Sequence, residues 1–249
     1  MSNFDEKQAV VFDIEGSLGM FRRPYTTTSS VSYPIPPPTA IAGILGAILG
    51  IENGSGTRGG NALYWKQMVG SQVAIAIRKP IRFASHSLNL LNTKNPDKFP
   101  RIQVKHQFLK DPAFRVYYKG PLGQKLTTHL EEGIFPFSPF LGVAYAPARI
   151  RFIGHFPLEE AETGKGIDSV VPCASQDPPP VDLKATGELE MVVMPFQMTF
   201  ERRLMKSVSV LFHPRGGKIF LKGPVSGGEV SRVGLEQVCW FDPWKQPWG

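Results

Sequence analysis

The chain has 249 residues, of which 42% are hydrophobic and 20% charged; this composition is typical of a folded domain with a full core and excludes a disordered chain. Its longest apolar run, residues 40–51, is shorter than the roughly 20 residues of a membrane span, and the N-terminal residues lack the apolar stretch of a secretory signal. We therefore expect one soluble, cytoplasmic domain over residues 1–249, with no membrane contact.

The first part of the chain predicts a strand, a long loop and a buried helix. Residues 9–15 alternate and are rich in β-branched side chains, which is typical of a strand. Glycines, a Ser/Thr run and a proline cluster predict a loop that ends at Thr39, the expected N-cap of a helix over residues 40–51. That helix is apolar on all sides, so it should be buried. Its glycines should let it pack closely on its neighbours; they are Gly43, Gly46 and Gly50.

The middle of the chain predicts three strands and a short helix. The expected strands are residues 72–83, 102–119 (broken near Asp111 and Pro112) and 149–156, and the expected helix is residues 126–132. Residues 84–101 are polar and are expected to form an irregular insertion.

The C-terminal part predicts additional β structure. Residues 188–198 and 204–212 have the pattern of strands, and the sequence HPRGG is typical of a hairpin turn that joins the second strand to residues 218–222. Three tryptophans are spaced by four residues, and they either cover the core or dock on a partner; they are Trp240, Trp244 and Trp248.

The element order strand, helix, strand, strand, helix, strand is that of a ferredoxin-like domain. The expected fold class is therefore α+β, with additional β structure at the C-terminus. Because this fold has many unrelated functions, it does not by itself indicate one.

Positive charge is concentrated in one segment. Residues 78–125 contain 11 Lys and Arg against two acids, a net charge of +9, whereas the whole chain has a net charge of +7. A local excess of this kind predicts a polyanionic partner, because neutralised phosphates release their counterions. A solvated basic face would have the same composition.

Two groups of residues have side chains suited to RNA. Alternation along residues 113–119 places two cations and an aromatic ring on one face, which either binds phosphates and stacks on a base or is the polar face of a sheet; these residues are Arg115, Tyr117 and Lys119. The loop before the helix also combines cations with a ring, in Arg22, Arg23 and Tyr25.

Catalytic and metal-binding patterns are almost absent. The five histidines and the two cysteines, Cys173 and Cys239, have no metal-ligand spacing, so we expect no metal, no cofactor and two free thiols. Lys105 and His106 have the chemistry for metal-free RNA cleavage, since one could stabilise charge on a phosphate while the other moves a proton. Neighbours on a strand point to opposite faces, however, so a shared site would need a bend.

Residues 9–51 resemble the opening of the CRISPR-associated Cas-five family, which belongs to the repeat-associated RNA-binding (RAMP) superfamily. The shared features are a first strand that ends in glycine, a Phe-Arg-x-Pro loop, a Ser-Tyr-Pro segment with further prolines, and a glycine-bearing helix. Two later segments also resemble segments of this family, FLxxPxxRVY from Phe108 and PxSPxLG from Pro136. The resemblance extends to about residue 155.

The resemblance implies a ferredoxin-like (RRM-like) domain with an inserted β-hairpin thumb at about residues 80–118 and a C-terminal β extension at about 183–249. It implies a non-catalytic subunit that binds the crRNA 5′ handle in a Cascade complex, beside the large subunit and the backbone subunit, with target DNA near the PAM-proximal end only indirectly. The Ser-Tyr-Pro segment is most similar to type I-B relatives. The residues expected at the RNA are Arg22, Arg23, Tyr25, Tyr33, Lys105, His106, Arg115, Tyr117 and Lys119.

A second function stays open because the type I-C branch of the family is a metal-independent endoribonuclease that uses Tyr, Lys and His. This sequence has Tyr33 in the equivalent segment, and Lys105 and His106 lie roughly where the other two residues would be. A third possibility is an interaction protein without an RNA role.

Overall fold

The computed structural model describes residues 7–24, 29–54, 62–92, 97–98, 100–173, 178–225 and 227–245. The strands are β1 (Gln8–Glu15), β2 (Leu18–Gly19), β3 (Phe21–Arg22), β4 (Ser32–Tyr33), β5 (Gln72–Ile77), β6 (Phe83–Leu91), β7 (Arg101–Lys110), β8 (Ala113–Lys119), β9 (Arg149–Glu160), β10 (Val171–Cys173), β11 (Glu190–Met198), β12 (Leu204–Phe212), β13 (Val230–Val233) and β14 (Glu236–Cys239). The helices are α1 (Pro38–Leu49), α2 (Leu63–Gln67), α3 (Gly123–Glu132) and α4 (Leu183–Thr186). The protein is thus mostly β, and none of the helices in these ranges is long and apolar enough to cross a bilayer.

Six strands form a central antiparallel sheet in the order β14-β13-β9-β1-β8-β5. The element order predicted from the sequence corresponds to β1, α1, β5, β8, α3 and β9, and the four strands in that series are neighbours in the sheet. β1 is central, with Val10 opposite Tyr118 of β8 on one side and opposite His155 of β9 on the other. Alternate strand residues such as Val10 and Val116 pack under α1 and α3, because successive side chains point to opposite faces.

α1 differs from the prediction at its start. The helix begins at Pro38, and Pro37 occupies the N-cap position without a side-chain hydrogen bond, so the expectation that Thr39 caps the helix is wrong. Proline is favourable at the first helical position because the N–H that it lacks would have no partner there. The prediction that glycines let the helix pack closely is confirmed at Gly46, where an added Cβ would lie 3.5 Å from Cβ of Tyr64. It is wrong at Gly43, where an added Cβ would face open space.

β6 and β7 form an antiparallel hairpin between β5 and β8. The expectation of an irregular insertion is wrong for residues 84–91, which belong to β6; this strand pairs with β7 from Phe83 opposite Leu109 to Leu91 opposite Arg101. The predicted break near residue 111 is confirmed, because β7 ends at Lys110 and Asp111 has a φ of 48°.

The C-terminal strands bring the two edges of the central sheet together. β13 pairs with β9 and β14 pairs with β13; Phe241, just beyond β14, exchanges two backbone hydrogen bonds with Val73 of β5 (N···O 3.1 and 2.7 Å). The face of the sheet opposite α1 and α3 therefore lines a second apolar core. Its members include Ala9, Val11, Ala74, Tyr117, Val238 and Trp240.

Two of the C-terminal tryptophans and both thiols lie in the interior of the protein. Trp240 and Trp244 are buried in the two apolar cores, so these two rings cover the core; Trp248 lies outside the described residues. Cys173 and Cys239 are buried and free.

The hairpin predicted for residues 204–222 is wrong. β12 pairs with β10 and β11 instead, and this three-stranded sheet has the order β10-β12-β11. Residues after the turn at 213–217 pair elsewhere, since Ile219 forms a bridge with Ile167 and Leu221 forms one with Val181. The turn sequence signals a change of direction correctly, but it does not specify which strand follows.

Gly142 holds the loop after α3 against the segment that carries Phe21. Its φ is 87°, and a Cβ there would lie 2.1 Å from the carbonyl oxygen of Met20.

We expect Gly142→Ala to lower the free energy of unfolding by about 3 kcal/mol, through left-handed strain and the backbone clash. Urea denaturation measures the loss. Gly133→Ala is the matched control, because Gly133 has a φ of 64° with no atom within 4 Å, and it should lose only about 1 kcal/mol. Equal losses would contradict the clash.

Candidate nucleic-acid interface

The loop before α1 is hydrogen-bonded to the hairpin, so the two form one surface. The N–H of Ser30 donates to the carbonyl oxygen of Lys105 (3.0 Å), and the N–H of Gln107 donates to that of Ser30 (2.8 Å). β2 pairs with the end of β7, and β3 pairs with β4. We call the described residues of 18–33 and 82–110 the hairpin–loop surface.

Exposed cations distinguish this surface from the rest of the basic segment. Four exposed cationic side chains of the hairpin have no ion-pair partner among the described residues; they are those of Arg82, Arg101, Lys105 and Lys110. Four cations of the same segment do have carboxylate partners in the central sheet and its C-terminal cover; they are Arg78, Lys79, Arg115 and Lys119. Apart from Lys125 on α3, the cations of this segment that have no ion-pair partner among the described residues therefore lie on the hairpin, where they attract phosphates.

β7 directs Lys105 and His106 to opposite faces. Lys105 is exposed, on the polar face with Arg101 and Gln103. His106 is buried; its ring stacks on Phe108 at 5.9 Å, and its Nδ1 lies 3.0 Å from the carbonyl oxygen of Val104. The two residues thus belong to one strand but do not form one site.

The second face of the hairpin carries an aromatic group that the sequence analysis missed. The ring of Phe108 contacts His86, at 5.8 Å between centroids, and Tyr145, at 6.1 Å. His86 is exposed and Tyr145 is 56% exposed, so both rings are accessible to a base. His86 is directly opposite His106 in the hairpin, so the alternation of side chains along the two strands could have indicated that they share a face. Tyr145 comes from a distant loop, and no pattern in the sequence indicates its contact with Phe108.

The loop places its predicted residues in different environments. Arg22 is exposed, and the guanidinium of Arg23 lies over the ring of Tyr33, 5.2 Å from the centroid, while its Nε donates to the carbonyl oxygen of Ser32 (3.3 Å). Tyr33 is only 3% exposed and belongs to the main core. Tyr25 lies outside the described residues. Arg22 is therefore the loop residue best placed to meet a phosphate.

The expected open row on β8 is not open. Tyr117 is 1% exposed and its hydroxyl donates to Oε2 of Glu236 (2.5 Å), while Arg115 donates to Asp13 and to Glu236. Lys119 pairs with Glu229 at 3.2 Å and lies over the ring of Trp240. The C-terminal strands and their carboxylates cover this row, so RNA could reach it only by displacing them.

The covered row is part of a partly buried ionic network. The carboxylate of Asp13 accepts hydrogen bonds from Nε of Arg115 (2.7 Å) and from Arg151 (2.6 Å). Burial alone would raise the pKa of this carboxyl, but hydrogen bonds from the two guanidiniums hold the pKa below its usual value. The same balance lowers the pKa of Glu236, where burial is outweighed by Tyr117 and Arg78. Burial raises the pKa of the Tyr117 phenol above its usual range.

The residues of the alternative catalytic site do not converge. Tyr33 is in the core, His106 is buried under the aromatic face, and Lys105 is exposed on the opposite face of β7. Within the described ranges, no cluster of three or more His, Cys, Asp or Glu side chains could hold a metal ion.

Several known proteins resemble this chain. A chain in a crystal structure of a CRISPR protein from Archaeoglobus fulgidus has the same fold, with a TM-score of 0.52 and 15% identity over 93% of this chain and 97% of that one. A chain of a structure named "CRISPR RNA-guided surveillance complex" has a TM-score of 0.49 and 13% identity, over 87% and 94%. No curated protein matches the sequence significantly.

The family comparison extends over most of the sequence. The profile Cas_Cas5d, described as "CRISPR-associated protein (Cas_Cas5)", matches residues 9–201, which run from β1 to the turn after β11. The match includes the loop, α1 and the whole hairpin, that is, the elements that build the hairpin–loop surface. The chain belongs to the CRISPR-associated Cas5 family.

Proposed function

We propose that this chain is a non-catalytic RNA-binding subunit of a type I CRISPR surveillance complex (Cascade) and that its hairpin–loop surface binds the 5′ handle of the crRNA. The observation that carries the proposal is the separation of charge within residues 78–125: cations of the sheet are paired with carboxylates, whereas Arg82, Arg101, Lys105 and Lys110 of the hairpin have no ion-pair partner among the described residues. Unpaired cations beside accessible rings suit single-stranded RNA.

The proposed domain organisation follows from the same surface. The sheet order β9-β1-β8-β5, with α1 and α3 on one face, supports a ferredoxin-like core. The hairpin of β6 and β7, inserted between two core strands, is proposed as the thumb, and residues 183–249 as the C-terminal extension.

The proposed partners are the crRNA 5′ handle, the large subunit and the backbone subunit. The chain would contact target DNA near its PAM-proximal end only indirectly, and the proposed location is the cytoplasm. The type I-B assignment stays a prediction, since the matching profile is Cas_Cas5d.

The absence of catalysis is proposed from geometry. A metal-free cleavage site needs its base, its acid and its charge stabiliser around one phosphate. Here Lys105 and His106 diverge from β7, and the ring of Tyr33 is buried under the guanidinium of Arg23.

Incubation of the purified chain with CRISPR repeat RNA in EDTA tests the proposal. We expect a shifted band for the complex on a native gel and intact RNA on a denaturing gel. A product cut at a single position, abolished by His106→Ala and retained by the neighbouring control Gln107→Ala, would establish the endoribonuclease instead. Absence of any RNA binding would support the third possibility, an interaction protein.

A further inference from the structure

The hairpin of β6 and β7 has two chemically different faces. Residues opposite each other in an antiparallel pair point to the same side, so the cations Arg101 and Lys105 share one face and a group of rings shares the other. A ring from the loop after α3 packs against this second face. We call the whole group the aromatic face; its rings are those of His86, His106, Phe108 and Tyr145.

Two rings of the aromatic face are buried and two are open to solvent. His106 and Phe108 are 6% and 2% exposed, and their rings stack on each other with centroids 5.9 Å apart. His86 and Tyr145 each contact the ring of Phe108 and are themselves exposed. The two open rings thus rest on a buried support, and each keeps surface on which another planar ring can stack.

The loop that carries Tyr145 is fixed before any ligand binds. The N–H of Leu141 donates to the carbonyl oxygen of Ala146 (2.8 Å), and the N–H of Ala146 donates to that of Val143 (2.9 Å). Leu141 and Ala146 are buried, and the carbonyl oxygen of Leu141 accepts a hydrogen bond from the N–H of Met20 (2.9 Å). A ring on such a loop loses little conformational freedom on binding, so it is a ready platform for stacking.

Two cations lie beside the rings at the base of the hairpin. The N–H of Lys110 donates to the carbonyl oxygen of Arg82 (2.8 Å), so the strand pairing continues to these two residues. Lys110 is two positions beyond Phe108, which places both cations on the aromatic face, about 7 Å from Phe108 along the strands. Both are exposed without an ion-pair partner among the described residues, and β6 and β7 contain no acidic residue.

The combination of rings and cations selects a nucleotide as the occupant. A nucleotide carries a planar ring and a negative phosphate in one small unit, whereas an apolar protein segment would desolvate Arg82 and Lys110 without compensation. Every base has a π-face, so the rings accept any of the four bases. A base can stack on them only where it is not part of a duplex. The aromatic face therefore suits an unpaired nucleotide of any sequence.

We infer that the aromatic face holds one unpaired base of the RNA, stacked on the rings of His86 and Tyr145, with the neighbouring phosphates at Arg82 and Lys110. This inference rests on the proposed function and adds a requirement to it, since the handle must be single-stranded at this nucleotide. The RNA then contacts both faces of the hairpin, with phosphates on one and a base on the other.

Removal of single bases from the RNA tests the inference. Single-stranded 5′ handle RNAs, each with one abasic nucleotide, are titrated against the wild-type chain and against the double variant His86→Ala, Tyr145→Ala. We expect one position at which the missing base weakens wild-type binding about tenfold, as for the loss of one base–aromatic contact. The double variant should bind intact RNA about tenfold more weakly, and the same abasic position should cost it less than about twofold, because the rings are already absent.

Two further variants separate stacking from a structural role of the rings. Tyr145→Phe keeps the ring, so it should bind intact RNA within about twofold of the wild type and show the same sensitive position. Phe137→Ala is the matched control and should change neither result. Phe137 is likewise exposed (46%), but its N–H donates to Ala47 of α1 (3.3 Å), away from the hairpin.

The outcomes distinguish this inference from the proposed function. If the wild type binds the handle but no single abasic position weakens binding, the inference is overturned, as expected if the aromatic face contacts a protein instead. An equal loss in the wild type and the double variant also overturns it, because the base then stacks elsewhere. If the wild type does not bind the handle at all, the proposed function itself fails.

Discussion

Reversing two charges of the hairpin–loop surface, with Arg22→Glu and Lys105→Glu together, should weaken binding of the crRNA 5′ handle about 100-fold. Each charge-assisted contact to a phosphate contributes about 1.4 kcal/mol, which is a factor of ten, and reversal adds repulsion. Both side chains are exposed. Fluorescence anisotropy over a range of salt concentrations measures the change, and the loss of two phosphate contacts should make the salt dependence less steep by about 1.4 in log–log slope for single-stranded RNA.

The control for this double variant is Lys125→Glu together with Lys119→Glu. These residues come from the same basic segment of the sequence, but Lys125 is on α3 and Lys119 is paired with Glu229. We expect the control to lower RNA affinity less than about threefold, through the change in net charge alone. Equal losses in the two double variants would mean that overall charge, and not the hairpin–loop surface, determines binding.

Removing the carboxylate of Asp13 should lower the free energy of unfolding by about 3 kcal/mol, because it leaves the largely buried guanidinium of Arg115 with one acidic partner fewer. The side chain of Asp13 is 9% exposed, and that of Arg115 is 15% exposed. Urea denaturation of Asp13→Ala at neutral pH gives the value. Glu15→Ala, two residues along the same strand, is the matched control; Glu15 is 35% exposed in its pair with Arg149, so its loss should cost about 0.5 kcal/mol.

The same network determines how stability varies with pH. Asp13 and Glu236 have folded-state pKa values below their usual 3.8 and 4.5, so the unfolded chain takes up these protons first as the pH falls. Their contribution is complete above about pH 5 and is lost as the pH drops through the folded-state values. Asp13→Asn should make unfolding free energy less dependent on pH between about 5 and 3. An unchanged pH dependence would contradict the lowered pKa of Asp13.

Local sequence patterns were enough to locate most of the core. The alternation of residues 9–15, the break at Asp111 and the strand at 204–212 all appear in the structure as β1, the end of β7 and β12. These features depend on which residues lie next to each other in the chain. β6 was missed because its side chains are largely exposed, and its strand conformation comes from pairing with β7.

The candidate site was less predictable because partners distant in sequence decide which cations are free. The alternation of Arg115, Tyr117 and Lys119 was predicted correctly, but the row is covered by β13 and β14, whose residues lie more than 100 positions away. No local sequence pattern predicts that Glu229 and Glu236 form ion pairs or hydrogen bonds with these side chains. The loop residue Tyr145 reaches Phe108 by the same kind of tertiary contact.

Site-specific cross-linking of the guide RNA tests whether the hairpin–loop surface binds the 5′ handle. Guide RNA with 4-thiouridine placed only in the 5′ handle is bound to the chain and irradiated, and the cross-linked peptides are sequenced by mass spectrometry. We expect cross-links within residues 18–33 and 82–110 or at Tyr145. Cross-links confined to the C-terminal strands or to α1 would show that the handle binds elsewhere, as would equal cross-linking by RNA labelled only at its 3′ end.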